Sequence, residues 1–189
     1  MKPVILLFIS AAFLLLTSCE VDVPDTDVTP PKFSFKITGD GFDHTFDQDD
    51  DFEHYELYLK DGGSYQFIFS GSDEGGLKYL RWGAPGSPDS GIRVSAPSLP
   101  SGWSVTSRAF DEYGENAVKY EGNEADPVSG ALSAGDFAIY QPYQDLPVTF
   151  HFIARDYGGL DENINTVEKY LKVFVGSGDD FSSRLVHIE

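Results

Sequence analysis

From Lys32 to Ile188, apolar and polar residues alternate mostly with a period of two. That spacing puts every second side chain on one face of a strand. Phe33, Phe35 and Ile37 alternate with Ser34 and Lys36, and Tyr55, Leu57 and Leu59 with Glu56 and Tyr58. Tyr65, Phe67 and Phe69 alternate with Gln66 and Ile68. Asp61-Gly62-Gly63 is turn chemistry, so 54–59 and 64–70 are expected to pair as a hairpin. Another strand, 77–82, follows the turn residues Asp73-Glu74-Gly75-Gly76. Shorter alternations predict strands at 92–95, 103–107, 118–120 and 137–140; the clearest are 148–155 and 167–175, and 185–188 comes last. No ten-residue stretch carries a helical stripe, and Gly, Pro, Asp or Ser punctuates the chain every eight to twelve residues. This rhythm predicts an all-β sandwich of roughly 7–10 strands. The Pro-, Gly- and Ser-rich segment 83–101 reads as a long connection crossing between its sheets.

The N-terminal pattern is different. Lys2 precedes an apolar run of thirteen residues, 4–16, which ends in Leu16-Thr17-Ser18-Cys19. A spanning helix needs about 20 apolar residues, so this length suits a signal peptide. A plain secretory cleavage site and a short membrane anchor are the alternatives. Leu16-Thr17-Ser18-Cys19 resembles a lipobox, which implies cleavage after residue 18 and a lipid on Cys19. Bacterial lipoproteins carry three acyl chains there, and at about 0.8 kcal/mol per buried methylene such an anchor is durable. Residues 19–31 then read as an acidic tether, with four acids, three prolines and no aromatic residue in 20–31. Residues 32–189 form the sandwich domain. Glu20 and Asp22 resemble the acid-rich tethers of lipoproteins displayed outside some Gram-negative cells. The expected location is therefore the cell envelope, on the outer membrane, with the cell surface favoured over the periplasm.

Composition narrows the chemistry. Cys19 is the only cysteine, so once acylated it leaves no thiol for a disulfide, a zinc site or a nucleophile. Fifteen Phe, ten Tyr and two Trp supply the apolar surface from which stability must come. A formal charge of −18 argues against nucleic acid and against lying on anionic headgroups, since both need cationic surface. Divalent cations and cationic partners are compatible with it.

Two segments resemble the bacterial immunoglobulin-like domains of secreted and surface proteins. The first, Tyr65 to Trp82, is similar to their second strand, an acidic turn and the third strand. The second, Val148 to Gly158 followed by 167–175, is similar to their final hairpin, with Ala154-Arg155-Asp156-Tyr157-Gly158 matching "A-x-D-x-x-G-N" only in part. Gly159 stands where that pattern has Asn, and the loop runs on to Thr166. Asp27-Val28-Thr29-Pro30-Pro31 also resembles the way such domains begin. The likeness implies an immunoglobulin-like sandwich and transfers no activity.

Acidic residues dominate the candidate chemistry. Eight lie between Asp40 and Glu56 without a Lys or Arg, yet Phe52 and Tyr58 occupy the positions an EF-hand gives to Gly and Glu. That run therefore reads as a solvated loop, an irregular calcium site being the alternative. Asp73, Glu74, Asp156 and Asp161 are the metal candidates. If the strands are the second, third, sixth and seventh of an immunoglobulin-like sandwich, the loops carrying these acids meet at one end. Calcium would be the ligand; the alternative is that Asp73 and Asp156 only cap their turns. Trp103, Tyr113, Tyr140 and Tyr143 are candidate platforms for a glycan, set against the packing role that most aromatic residues have. His44, His54, His151 and His187 lie apart from any nucleophile motif, so no enzyme is expected. The expected function is a tethered, non-catalytic module that binds a protein partner or glycan. An accessory subunit of an outer-membrane assembly and a calcium-stabilised adhesion module are the alternatives.

Overall fold

The first strand, β1 (Lys32–Gly39), turns back through Asp40-Gly41 into β2 (Phe42–Asp47). Both turn residues have positive φ, 50° and 75°, as a two-residue type I′ hairpin requires. The computed structural model describes residues 21, 23–84, 92–96, 98–106, 116–140 and 147–189. Beyond β2 these residues form β3 (Tyr55–Lys60), β4 (Ser64–Ser72), β5 (Leu77–Ala84), β6 (Ile92–Ser95), β7 (Trp103–Thr106) and β8 (Asn116–Glu121). They close with β9 (Gly130–Ile139), β10 (Val148–Asp156), β11 (Thr166–Gly176) and β12 (Arg184–His187). A single-turn 3-10 segment, Phe52–His54, precedes β3, and no described helix is long and apolar enough to cross a membrane.

One sheet has the order β2-β1-β4-β9-β6 and the other β12-β3-β11-β10-β5-β8-β7. β1, β4, β9 and β6 hold the A, B, E and D positions of an immunoglobulin-like sandwich, and β5, β10 and β11 hold C, F and G. β3 lies parallel to β11, while every other described pairing is antiparallel. The all-β sandwich expected from the alternation is present, with twelve strands among the described residues. The stretch 83–101, read as one long connection, instead contains the end of β5 and all of β6, which lie in different sheets.

Three further expectations need correction. β3 and β4 do not pair as a hairpin; they lie in opposite sheets. A β-turn joins them, Gly63 N–H donating to the Lys60 carbonyl at 2.9 Å with Gly62 at φ 69°. Each strand has one apolar face, and two such faces are buried as well by stacking as by lying side by side. Secondly, the acidic run 40–56 is not all loop, because β2 pairs with β1 and buries Phe46. Lastly, β9 begins at Gly130, well before 137, in a stretch of Gly, Ala and Ser.

The core lies between the sheets and is aromatic. Trp82 is fully buried, its ring centre 4.6 Å from Phe35, 4.8 Å from Phe67, 5.3 Å from Phe137 and 5.6 Å from Phe150. Phe152 stacks on Phe33 at 5.4 Å and contacts Phe52 at 5.7 Å. Each such ring contributes about 1.5–3 kcal/mol through burial. This core fixes the ends of β4, β5, β10 and β11, from which the apex loops emerge.

Candidate cation site at the loop apex

The β4–β5 turn and the β10–β11 loop leave the sandwich at the same end, as the immunoglobulin-like reading requires. They bring Asp73 and Asp156 together, and Asp27 completes a trio whose carboxylate oxygens lie within 4.8 Å of one another. All three are buried, Asp156 completely. Each also closes its own turn. Gly75 N–H donates to Asp73 Oδ1 at 2.9 Å, and Thr29 N–H to Asp27 Oδ1 at 2.9 Å. Asn165 donates its backbone N–H to Asp156 Oδ1 and its Nδ2 to Asp156 Oδ2, both at 2.7 Å. Turn-capping and clustering are therefore not alternatives here; the same carboxylates do both.

Charge makes this arrangement expensive. At an effective dielectric of about 20, two carboxylates 4.8 Å apart repel by about 3 kcal/mol. No Lys, Arg or His among the described residues forms an ion pair with any of the three. Burial, then the charges of Asp27 and Asp156, push the Asp73 carboxyl up to about 7, against the pull of the Gly75 N–H. A proton or a cation must offset the repulsion. The donors are all oxygen, which suits a hard divalent ion such as Ca²⁺ and not zinc or copper.

Asp27 was not foreseen as a site residue, because residues 19–31 read as a solvated tether. Its segment instead lies against the apex. The Pro24 and Asp25 carbonyls accept from Leu160 N–H at 3.0 Å and Asp161 N–H at 3.1 Å. The Asp27 carbonyl accepts from Asn165 Nδ2 at 3.0 Å. Two glycines permit the approach. A Cβ on Gly159 (φ 73°) would lie 2.7 Å from the Pro24 oxygen and 2.8 Å from the Asp27 nitrogen, and one on Gly75 would collide with Asp27 Oδ2. The sequence signal was Asp27-x-Thr29 before Pro30-Pro31, an Asx turn that begins a strand.

The other candidate residues fare differently. Glu74 is exposed, and Asp161 is exposed and accepts from Thr26 Oγ1 at 2.6 Å, so neither joins the buried trio. Trp103 is a correction: only 8% exposed, it packs against Tyr120 at 5.5 Å and edge-on to Phe69 at 6.1 Å. It lines a cleft of about 430 Å³ together with Tyr120, Glu121, Asp126 and Leu132. Tyr140 is 41% exposed, with the Arg93 guanidinium 5.2 Å from its ring centre. Cys19, Tyr113 and Tyr143 lie outside the described residues.

His151 belongs to a second cluster, on the outer face of the larger sheet. Arg81 Nη1 donates to His151 Nδ1 at 2.8 Å, and His151 Nε2 bonds Glu168 Oε1 at 2.6 Å. Tyr170 stacks on the imidazole at 4.4 Å and donates to the same Glu168 oxygen at 2.7 Å. Burial, with help from Arg81, holds the imidazole below its usual pKa despite Glu168. With Nδ1 accepting and Nε2–H donating, the ring has no free lone pair to act as a general base.

No protein-family model and no curated protein matches the chain. Among solved structures, a cohesin module from the family 33 glycoside hydrolase of Clostridium perfringens ATCC13124 is similar at a TM-score of 0.35 and 9% identity. The match covers 65% of this chain and 97% of that one. A likeness at that level says nothing about ligand or activity.

Proposed function

We propose that this protein is a non-catalytic binding module of the cell envelope, anchored through a lipid on Cys19 and stiffened at its apex by Ca²⁺. The observation that carries the calcium part is the buried trio of Asp27, Asp73 and Asp156, contributed by three separate segments with no basic ion-pair partner among the described residues. One divalent cation offsets two of the three negative charges and ties the N-terminal segment, the β4–β5 turn and the β10–β11 loop into one unit. The partner is a protein or glycan held by the sandwich surface, and the committed His151 imidazole supports a non-catalytic role. The anchor rests on the Leu16-Thr17-Ser18-Cys19 motif.

Melting of the full chain in detergent, with Ca²⁺ or with chelator, tests the cation. At 100 times its dissociation constant Ca²⁺ should add about 2.7 kcal/mol of stability. Identical melting temperatures in the two conditions would remove the cation from the function. Mass spectrometry of the N-terminal peptide tests the anchor, which requires a diacylglyceryl group on Cys19.

A further inference from the structure

We infer that Asp51, His54 and His187 form a surface site for one divalent transition ion of the Zn²⁺ class, separate from the apex and independent of the calcium reading. Asp51 and His54 flank a single 3-10 turn, His54 N–H donating to the Asp51 carbonyl at 3.1 Å. Side chains three residues apart in such a turn eclipse each other, so the imidazole stands over the carboxylate. His187 ends β12 and pairs with Tyr55 in the β12–β3 ladder, and Ile188 N–H donates to the His54 carbonyl at 2.8 Å. The backbone thus places both rings beside one carboxylate.

The spacing suits a single ion. Asp51 Oδ2 lies 2.9 Å from His54 Nδ1 and 4.0 Å from His187 Nε2. Ligand atoms about 2.0–2.1 Å from a tetrahedral Zn²⁺ stand about 3.3 Å from one another, between those two values. The two ring centres are 6.0 Å apart. Two imidazoles on one such ion need about 5 Å, so a shift of about 1 Å closes the set. Both rings have room for it, the His54 side chain being 49% exposed and that of His187 57%. Tyr55, edge-on to His187 at 5.5 Å, packs against that ring and keeps it near its partners.

Donor chemistry selects the ion. Two imidazoles and a carboxylate favour Zn²⁺ or Cu²⁺ over Ca²⁺ and Mg²⁺, which take oxygen. A neutral His54 can carry its hydrogen on Nε2 and turn the Nδ1 lone pair to the metal, so the ion takes the place of the His54–Asp51 hydrogen bond. Exposure leaves the remaining coordination position to water. A bound ion then cross-links the C-terminal strand β12 to the turn that enters β3.

Calorimetric titration of the untagged full chain in detergent with Zn²⁺, in excess Ca²⁺ to mask oxygen-only sites, tests the inference together with NMR of the histidine rings. One Zn²⁺ per chain should bind, moving the ring signals of His54 and His187 and leaving those of His44 and His151 in place. Losing an outer partner of a metal ligand already costs about 10–100-fold in affinity, so His54→Ala and His187→Ala should each weaken Zn²⁺ at least that much. Asp51→Asn should weaken it too, and Asp49→Ala should leave it unchanged. Melting in metal-free buffer checks that each variant folds as the wild type does. Absence of saturable Zn²⁺ binding, or binding that keeps its full strength in His187→Ala, would overturn the site.

Discussion

Two acid-rich regions of this molecule have opposite fates. The run from Asp40 to Glu56 concentrates eight acids in one stretch, and several of its carboxylates are met by the backbone and side chains of that stretch. Asp50 Oδ2 accepts from Asp47 N–H at 2.8 Å, Asp47 Oδ1 from Asp49 N–H at 2.9 Å, and Asp51 bonds His54 Nδ1 at 2.9 Å. Asp43 pairs with Lys36 at 3.0 Å in the open. At the apex, three acids far apart in sequence are buried together with no basic ion-pair partner among the described residues. Density along a chain lets water and the local backbone satisfy each carboxylate. Convergence through the fold removes the water and leaves the charge to be met by something else.

The largest expected effect comes from Asp156→Ala. Both Asn165 donors lose their acceptor and the trio loses its deepest member, so stability in calcium should fall by about 3 kcal/mol. The fall should be smaller in chelator, where losing a buried charge offsets part of it. A chelator melt as damaged as the calcium melt would mean that the carboxylate serves only to fold its loop.

Asp73→Asn should reverse sign with conditions. It keeps the shape and removes one charge, so in chelator at about pH 8 the variant should melt above the wild type. In calcium it should forfeit the increment of about 2.7 kcal/mol expected at 100 times the dissociation constant. A variant less stable than wild type in both media would make Asp73 an ordinary hydrogen-bonding residue.

Acidity separates the two regions without mutation. The Asp73 carboxyl is raised from 3.8 to about 7, so the folded state holds a proton that the unfolded chain releases. Its contribution is complete below about pH 4 and declines as pH rises through about 7. Asp51 has the reverse sign: its hydrogen bond from His54 holds it below the usual range, so its contribution is present at neutral pH and lost on acidification. In chelator, melting temperature should therefore drop between about pH 4 and about pH 7, and calcium should cancel that drop by displacing the proton. A chelator profile flat across that window would count against a shared proton at the apex.

The sequence carried the strongly alternating strands well. Phe33-x-Phe35-x-Ile37, Tyr65-x-Phe67-x-Phe69 and Phe150-x-Phe152 all bury the expected face. β9 was legible only at Phe137 and Ile139, because Gly, Ala and Ser show no contrast between faces. β2 was hidden by its acids although Asp40-Gly41 is a strong hairpin signal. Periodicity also could not tell β3 beside β4 from β3 opposite β4, since both arrangements bury the same residues. Asp73 and Asp156 were found because the order of strands alone brings their loops to one end. Asp27 was missed because a Pro- and acid-rich segment looks the same whether it floats or docks.

The smallest expected effect is the most discriminating. Asp49 is exposed, and its carboxylate only accepts from Gln48 Nε2 at 2.8 Å. Asp49→Ala should change stability by no more than about 0.5 kcal/mol, as surface substitutions usually do. More telling is the calcium increment, which should survive intact, because a cation bound among exposed acids would have to be held by side chains that water already solvates. Loss of that increment in Asp49→Ala, with Asp73→Asn retaining it, would place the ion in the β2–β3 run and reverse the contrast. Retention in the first and loss in the second would show that a few carboxylates gathered by topology outweigh many gathered by sequence.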